Sequence, residues 1–383
     1  MRTLRNYLWR EVAWAVAFVL VALTAIFAFF DLVNEMGDVG HLNYRFEHAL
    51  LHVLLLAPAH AYELMPIAAL IGTIYALSKL AANSEFTIMR VSGMTTQALA
   101  RAVLRAGLGL VAVAFLLGEF VAPYAEGAAG RLRAEVIGSG VGREFRSGVW
   151  VRDLVRGENG QPDRVRFVNV ASVEPDGDVH DWRIFEFDQQ MHLRSMSTAA
   201  LGSYRLDEGW LLSDYVATNL PLVESNMGAD PAPELQTVGQ TQIERQKSFL
   251  WHSSLTPEIL GILMVQPERQ SGYGLFRYIR HLAENHQRTD RYEVALWKKL
   301  VYPLVCLVMM TLALPFAYLH VRAGSVSLKI FVGIMLGVGF HALNKVFSNV
   351  GAINDWPPVL IASFPAMVAF SLALGALFWV ERR

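Results

Sequence analysis

The chain has 383 residues, of which 54% are hydrophobic and only 17% charged, and its formal net charge is −1. This near-neutral balance gives no electrostatic reason to expect nucleic-acid binding. The one cysteine, Cys306, excludes a disulfide within the chain.

Six long apolar segments, three on each side of a polar insert, dominate the sequence. About 20 apolar residues in a helix cross the ~30 Å hydrocarbon core of a bilayer, and lipid offers no partner for an unpaired backbone amide. The length of the first segment favours a retained span over a cleaved signal peptide. In chain order, helices are predicted at residues 12–30, 60–78, 103–121, 300–321, 330–347 and 358–380.

The charges between these segments predict the orientation. Lysine and arginine gather before the first segment, between the second and third, between the fourth and fifth, and at the C terminus. Because cytoplasmic loops carry an excess of lysine and arginine, both termini are predicted to be cytoplasmic. The polar insert is then predicted on the opposite side of the membrane.

The insert has the composition of a β domain. Residues 165–170 and 184–187 are typical of strands, and residues 204–212 predict a hairpin that closes at 207–209. Short strands at close intervals predict a sandwich, a jelly roll or an open barrel. An amphipathic helix over about 276–287 then leads to the fourth apolar segment.

A short polar segment between the second and third spans predicts a separate helix. Asn83 and Ser84 can cap a helix over 85–92, Gly93 can end it, and Thr95 or Thr96 can cap the third span. Two interpretations remain open. The helix is either a connector held at the lipid surface or a docking knob for a cytoplasmic partner.

Motifs for chemistry are absent from the sequence. It contains no GxxxxGK[ST] phosphate-binding loop, no GxSxG elbow and no zinc-binding cysteine pattern. The glycine-rich stretch 138–142 is interpreted as a flexible loop. His281, Glu284 and His286 fall on different faces of a helix, so no metal site is expected there.

Ionisable residues near the span ends are the candidates for ligand contact, because charge inside a membrane is costly and often functional. Glu63 and Glu119 lie near the insert-side ends of the second and third spans, and Lys345 lies in the fifth. They either make helix contacts and reach the interface, or line a cavity that Arg131 and Arg133 extend. Such cations would suit an anionic amphiphile.

The fifth span carries a pair of small residues. Gly333 and Gly337 are four residues apart, a spacing that lets two helices approach closely in lipid. Ordinary packing within the bundle and a movable helix seam are both compatible with this pair.

Several local stretches carry a resemblance to a known family. They are residues 65–72 in the second span, 82–93 between the second and third, 118–123, 297–299, and Pro357-Pro358. In combination and over nearly the whole length, the chain resembles the LptF/LptG family of lipopolysaccharide-export ABC transporter permeases. The pattern is closer to LptG than to LptF.

The resemblance implies a membrane α-helical bundle of six spans with an inserted all-β periplasmic domain of jelly-roll type. The implied domains are residues 1–123 with a coupling helix at about 84–93, a periplasmic domain at 124–298, and residues 299–383. The implied location is the inner membrane of a Gram-negative bacterium.

The function that the resemblance implies is transport without catalysis by this chain. The permease would extract lipopolysaccharide from the inner membrane and pass it to a periplasmic bridge toward the outer membrane. The implied partners are an LptB-like ATPase dimer, an LptF-like permease, an LptC-like single-span subunit and an LptA-like bridge. ATP and Mg²⁺ would be bound by the ATPase, and no cofactor by this chain.

Residue roles also follow from the resemblance. Glu85, Phe86, Met89 and Arg90 would dock in a groove of the ATPase. The first and fifth spans would form lateral gates, with Phe27, Phe30, Gly333 and Gly337 at the seams.

One departure from the family concerns the first span, which has no basic residue to meet a lipid A phosphate. The candidate headgroup contacts are therefore Arg45, Arg131 and Arg133. Two other classes stay open: a mechanotransmission permease acting on periplasmic partners, and a membrane-bound enzyme of envelope lipids.

Overall fold

The structure is a computed structural model. It describes residues 2–40, 43–93, 95–137, 148–156, 162–173, 177–205, 209–225, 235–238, 240–253, 255–257, 259–260, 267–285, 287–318 and 326–381. The chain divides into two compact units. The helical unit comprises Met1–Leu132, Pro267–Arg280 and Arg288–Arg383, and the β unit comprises Arg133–Gln266 and His281–Gln287.

Nine α-helices of four residues or more occur in the described ranges. Six segments, at residues 6–35, 46–82, 97–133, 290–317, 326–351 and 358–379, are long and apolar enough to cross a membrane, which confirms the six predicted spans. The helices are α1 (Arg2–Glu35), α2 (Phe46–Ala82), α3 (Glu85–Val91), α4 (Thr96–Leu116), α5 (Ala122–Ile137), α6 (Gly272–Glu284), α7 (Asp290–Ala313), α8 (Val326–Ile353) and α9 (Pro358–Glu381).

The third and fourth spans depart from regular α-helix. A π-helical turn, Leu117–Val121, joins α4 to α5. The fourth span was predicted to reach residue 321, but α7 ends at Ala313 and a 3₁₀ turn follows at Leu314–Ala317. Pro315 has no backbone N–H and cannot continue the α-helical hydrogen-bond ladder, so the turn tightens there. Residues 319–321 lie outside the described part.

Helix α2 is central to the helical unit. It packs against α1, α7 and α8, and α9 packs against α7. Its side chains Met65, Leu70 and Leu77 are fully buried. At Gly72 the backbones of α1 and α2 meet so closely that a Cβ would lie 2.5 Å from the Cα of Val16. Only glycine allows this approach, as is common where helices pack in lipid.

The β unit contains nine described strands. They are β1 (Val149–Arg156), β2 (Pro162–Val170), β3 (Ser172–Val173), β4 (Val179–Phe187), β5 (Leu193–Arg205), β6 (Gly209–Asn219), β7 (Leu222–Ser225), β8 (Leu235–Val238) and β9 (Gln242–Trp251). One antiparallel sheet has the order β1-β2-β4-β5-β6-β9, with β3 paired to β4, and β7 and β8 form a separate pair. The predicted all-β insert is therefore present, and closure into a jelly roll stays a prediction.

The predicted strands lie in the sheet. Residues 165–170 fall in β2 and residues 184–187 in β4, paired with each other. The predicted hairpin is the β5–β6 pair, in which Tyr204 faces Trp210. Its turn residues 206–208 lie outside the described part, and Gly209 follows with a φ of +103°.

Aromatic side chains form the centre of the β unit. The rings of Trp182 and Trp210 lie 4.8 Å apart in an edge-to-face arrangement, and both are buried. Gly202 lies against the Trp182 indole, where a Cβ would come within 2.5 Å of Nε1. The domain is thus held by its own aromatic core.

Candidate functional site

Helix α3 forms a distinct short element between α2 and α4, as the sequence predicted. The chain turns sharply at both of its ends, since Ser84 has a φ of +61° and Gly93 a φ of +90°. Thr95 is the N-cap of α4, and its Oγ1 accepts a hydrogen bond from the Ala98 N–H at 3.2 Å. The helix is therefore bounded by turns rather than continuous with its neighbours.

Glu85, at the start of α3, is tied to other elements of the helical unit. The Tyr7 hydroxyl on α1 donates to Glu85 Oε2 at 2.9 Å, and Asn83 Nδ2 donates to Oε1 at 3.4 Å. Close by, Lys79 of α2 and Glu11 of α1 form an ion pair at 2.5 Å. The beginning of α1, the end of α2 and the beginning of α3 are thus linked by polar contacts.

Met89 faces the interior of the helical unit. Its side chain is only 3% exposed and belongs to the same core cluster as Leu8, Leu77, Leu80 and Leu99. Helix α3 is therefore anchored to the spans through this residue.

The exposed apolar side chains of α3 are ones that the sequence interpretation did not select. Ile88 is 64% exposed and Val91 is 85% exposed. Phe86 and Arg90 lie in the helix, but their side chains are outside the described part. Among the described side chains of α3, Ile88 and Val91 form its solvent-facing apolar surface.

Glu119 lies in the π-helical turn between α4 and α5. Its two carboxylate oxygens accept backbone hydrogen bonds from Gly272 at 2.7 Å and Tyr273 at 3.0 Å. A carboxylate at a helix N terminus satisfies unpaired N–H groups and opposes the positive end of the helix dipole. Glu119 thus makes the structural contact that the sequence left as one alternative, and caps α6.

Further contacts support this arrangement. Lys299 Nζ of α7 donates to the backbone oxygen of Gln270, and the Glu126 and Arg269 side chains lie 3.7 Å apart. The sequence analysis did not select Lys299, although it belongs to the stretch 297–299 that supported the resemblance. Its partner lies 29 residues earlier in the chain, which no local pattern reveals.

The space beside Glu119 is small. A cavity of about 20 Å³ is lined by Tyr62, Gly118, Glu119, Lys299 and other residues of α4, α6 and α7. That volume holds one water molecule at most. Gly118 lies against the Tyr62 ring, where a Cβ would come within 2.4 Å of Cε2. The helices are therefore closed against each other at this point.

The other predicted cavity residues are spread over several elements. Arg45 is exposed just before α2, Arg131 is exposed on α5, and Lys345 is exposed on α8. Glu63 is exposed near the middle of α2 and not near its end as predicted, because the helix begins at Phe46, before the predicted start of the span at residue 60. None of these four lines the 20 Å³ cavity. Arg133 belongs to the β unit and is half-buried.

The predicted gate residues divide into two groups. Phe27 and Phe30 of α1 are 43% and 59% exposed. Gly333 and Gly337 of α8 instead lie against α2: a Cβ would come within 2.6 Å of Ile74 at the first and 3.3 Å of Ile67 at the second. Packing within this chain therefore accounts for both glycines.

A pair of histidine–carboxylate contacts joins α1 to α2 and was missed in the sequence. His60 Nε2 lies 2.5 Å from Asp31 Oδ2, and His52 Nε2 lies 3.6 Å from Glu35 Oε1. The Tyr44 hydroxyl also donates to Glu35 at 2.9 Å. The four-residue spacing of the acids and the eight-residue spacing of the histidines each mark one helix face.

The β unit has a polar groove at one end of its sheet. Its volume is about 440 Å³, and the lining includes Arg164, Glu186, Asp188, Arg194 and Asn219. Burial raises the pKa of Asp188, but the N–H of His192 and the Arg194 guanidinium outweigh it and lower that pKa overall. The carboxylate is thus already paired within the β unit.

His281 is buried in the β unit, beside Asn285. Burial is the main cause that lowers the pKa of His281 below its ordinary 6.5, so the ring is neutral at pH 7. The described residues contain no cluster of three or more side chains suited to a metal. His286 lies outside the described part.

Comparison with known proteins gives a match over nearly the whole chain. Residues 6–380 match the family model described as lipopolysaccharide export system permease LptF/LptG. The lipopolysaccharide export system permease protein LptG of Escherichia coli (strain K12) is 29% identical, over 94% of this chain and 92% of that protein. LptG of Haemophilus influenzae is also 29% identical, over 100% of this chain and 99% of that protein.

Proposed function

This chain belongs to the lipopolysaccharide export system permease LptF/LptG family, and from that premise we propose that it extracts lipopolysaccharide from the inner membrane. The lipid then passes to a periplasmic bridge toward the outer membrane. The single observation that carries the proposal is the family match from residue 6 to residue 380, which covers all six spans and the β unit.

We propose that the energy comes from a separate LptB-like ATPase dimer, which binds ATP and Mg²⁺. The sequence supports this because it has no phosphate-binding loop of its own. An LptF-like permease, an LptC-like subunit and an LptA-like bridge complete the proposed assembly.

The proposed orientation places both termini in the cytoplasm and the β unit in the periplasm. The arginines at the start of α1, and the lysines and arginines around α3 and after α7, support it. Helix α3 then faces the cytoplasm, where an ATPase can reach it.

We propose α3 as the site where the ATPase docks. Its exposed Ile88 and Val91 offer apolar contact to a partner groove, with Glu85 adding a charge at the start of the helix. Met89, packed in the core with Leu77, gives the helix a firm connection to the spans. Motion of a docked ATPase is thereby passed to α2 and α1. The roles predicted for Phe86 and Arg90 remain part of the proposal.

The apolar outer faces of α1 and α8 are the proposed seams with partner subunits. Phe27, Phe30 and Phe331 are all more than 40% exposed on these helices. Arg45, Arg131, Arg133 and Lys345 remain the proposed contacts for the lipid phosphates. Glu63 remains a proposed cavity residue, although it lies near the middle of α2 and not at the same end as Arg45.

A charge reversal at Glu85 tests the docking role. Glu85→Arg is expected to abolish co-purification with the ATPase and lipopolysaccharide extraction, while the protein still inserts into the membrane. The control is Tyr7→Phe, which removes the internal hydrogen bond to Glu85 and leaves its carboxylate in place. We expect near-normal extraction from this control. Normal extraction by Glu85→Arg would refute docking through Glu85, and equal losses in both variants would assign Glu85 an internal structural role.

A further inference from the structure

Helix α6 presents a stripe of aromatic and basic side chains on one face. Tyr273, Phe276, Arg277 and Arg280 are exposed and are spaced by three or four residues, so they share one side of the helix. Tyr273 is 68% exposed and Phe276 is 58% exposed. We refer to these four residues as the α6 stripe.

The opposite face of α6 is packed. Leu275 is fully buried, and the Tyr278 ring lies 4.6 Å from the ring of Tyr292 on α7. The helix is therefore held with a fixed side outward. Within the stripe, the Arg277 guanidinium lies 5.9 Å from the centre of the Tyr273 ring, a cation–π contact that orders both side chains.

The start of α6 is held beside the end of the third apolar segment and the beginning of the fourth. Glu119 caps its N terminus and Lys299 bonds to Gln270 in the preceding turn. The third apolar segment ends at residue 121, and the fourth begins at residue 300. Both contacts therefore lie close to the edge of the hydrocarbon layer, on the side of the membrane that carries the β unit.

From this depth and this composition, we infer that the α6 stripe binds the phosphate headgroups of anionic phospholipid in the surrounding bilayer. Aromatic rings prefer the membrane interface, where their apolar part meets lipid and their polar part meets water. Guanidinium groups pair with phosphate in a bidentate geometry. The charged residues within 272–280 are Arg277 and Arg280. Acidic residues adjoin this stretch at the helix start, through Glu119, and four residues beyond Arg280, at Glu284. The inference depends on the spans crossing a bilayer and not on the transported cargo.

Lipid retention by the full chain tests the inference. The purified protein is titrated with phosphatidylglycerol or phosphatidylcholine, and bound lipid is counted by native mass spectrometry. We expect preferential retention of phosphatidylglycerol, and a loss of affinity of about fivefold for each arginine whose charge is removed. Arg277→Gln and Arg280→Gln are made singly and together, since the single variants keep the test valid if the double variant misfolds.

The matched control removes two charges elsewhere. Arg245→Gln with Lys247→Gln changes two exposed residues of strand β9 and is expected to leave phosphatidylglycerol retention unchanged. Equal retention by the wild type and both α6 single variants would overturn the inference. So would loss of partner-permease binding in those variants with lipid retention intact, because the stripe would then be a protein contact.

A second readout tests the depth of the stripe. Phe276→Trp places a fluorophore at the exposed centre of the stripe. In nanodiscs containing lipids brominated close to the headgroup, we expect additional quenching relative to the parent chain. If the brominated lipids do not quench the fluorescence that the Phe276→Trp substitution adds, α6 does not lie at the interface.

Discussion

Replacing Gly72 with alanine should separate helices α1 and α2. A Cβ at Gly72 would lie 2.5 Å from the Cα and 2.7 Å from the backbone N of Val16. Ordinary contact between carbon atoms is about 3.5–4.0 Å, so the helices must move apart by about 1 Å. The obstacle is backbone, which cannot rotate away as a flexible side chain could.

The expected cost follows from two opposing effects. Overpacking of this kind typically destabilises by about 1–3 kcal/mol. Alanine favours a helix interior over glycine by about 0.5–1 kcal/mol, which offsets part of that loss. A net loss of about 1–2 kcal/mol is therefore expected, concentrated in the α1–α2 contact because α1 packs chiefly on α2.

Gly109→Ala is the matched control, since no described atom beyond the neighbouring backbone of α4 lies within 4 Å of its Cβ position. Thermal unfolding of the purified chain in detergent should show a lower midpoint for Gly72→Ala and an unchanged or higher one for Gly109→Ala. The distance between spin labels attached to α1 and α2 should be longer in Gly72→Ala than in the parent chain. An unchanged midpoint and distance in Gly72→Ala would refute the close approach.

Three further outcomes are expected. Glu119→Gln should loosen the start of α6 by about 0.5–2 kcal/mol, seen as faster amide exchange at Gly272; unchanged exchange would contradict the capping role. Met89→Ala should destabilise by about 2–5 kcal/mol in thermal unfolding, whereas Ile88→Ala, exposed on the same helix, should change little. Because the folded pKa of His281 is lowered, protonation favours unfolding, so β-unit stability measured by amide exchange should fall as pH drops below about 6.5. His281→Gln should make β-unit stability less dependent on pH. An identical pH profile in the variant would show that His281 is not the group responsible.

The six spans could be predicted because membrane insertion depends on the length of an apolar run, which is a local property. The change from α-helix to a 3₁₀ turn after Ala313 was not predicted, since Pro315 interrupts the α-helical ladder inside an apolar stretch. Strands β2 and β4 were recognisable from their β-branched and aromatic residues. The order of the sheet was not, because it depends on pairings between distant strands.

The candidate site was harder to predict. Helix α3 was found from its turn residues, but Met89 faces the core while Ile88 faces outward, and a seven-residue helix of mixed composition does not reveal its buried side. The partners of Glu119 lie 153 and 154 residues away. Gly333 could indicate either a seam or packing, and its approach to Ile74 of α2, which no local pattern reveals, shows a packing contact within the chain and leaves the seam a prediction.

The most direct test of the proposed transport function is ATP-dependent extraction of lipopolysaccharide from proteoliposomes that contain this chain, its partner permease and the cytoplasmic ATPase. Photocrosslinking of the lipid to a periplasmic acceptor protein reports the transfer. We expect a signal that requires ATP, the ATPase and an intact α3. Transfer that persists when the ATPase is omitted, or ATP hydrolysis that moves no lipid in the complete assembly, would contradict the account.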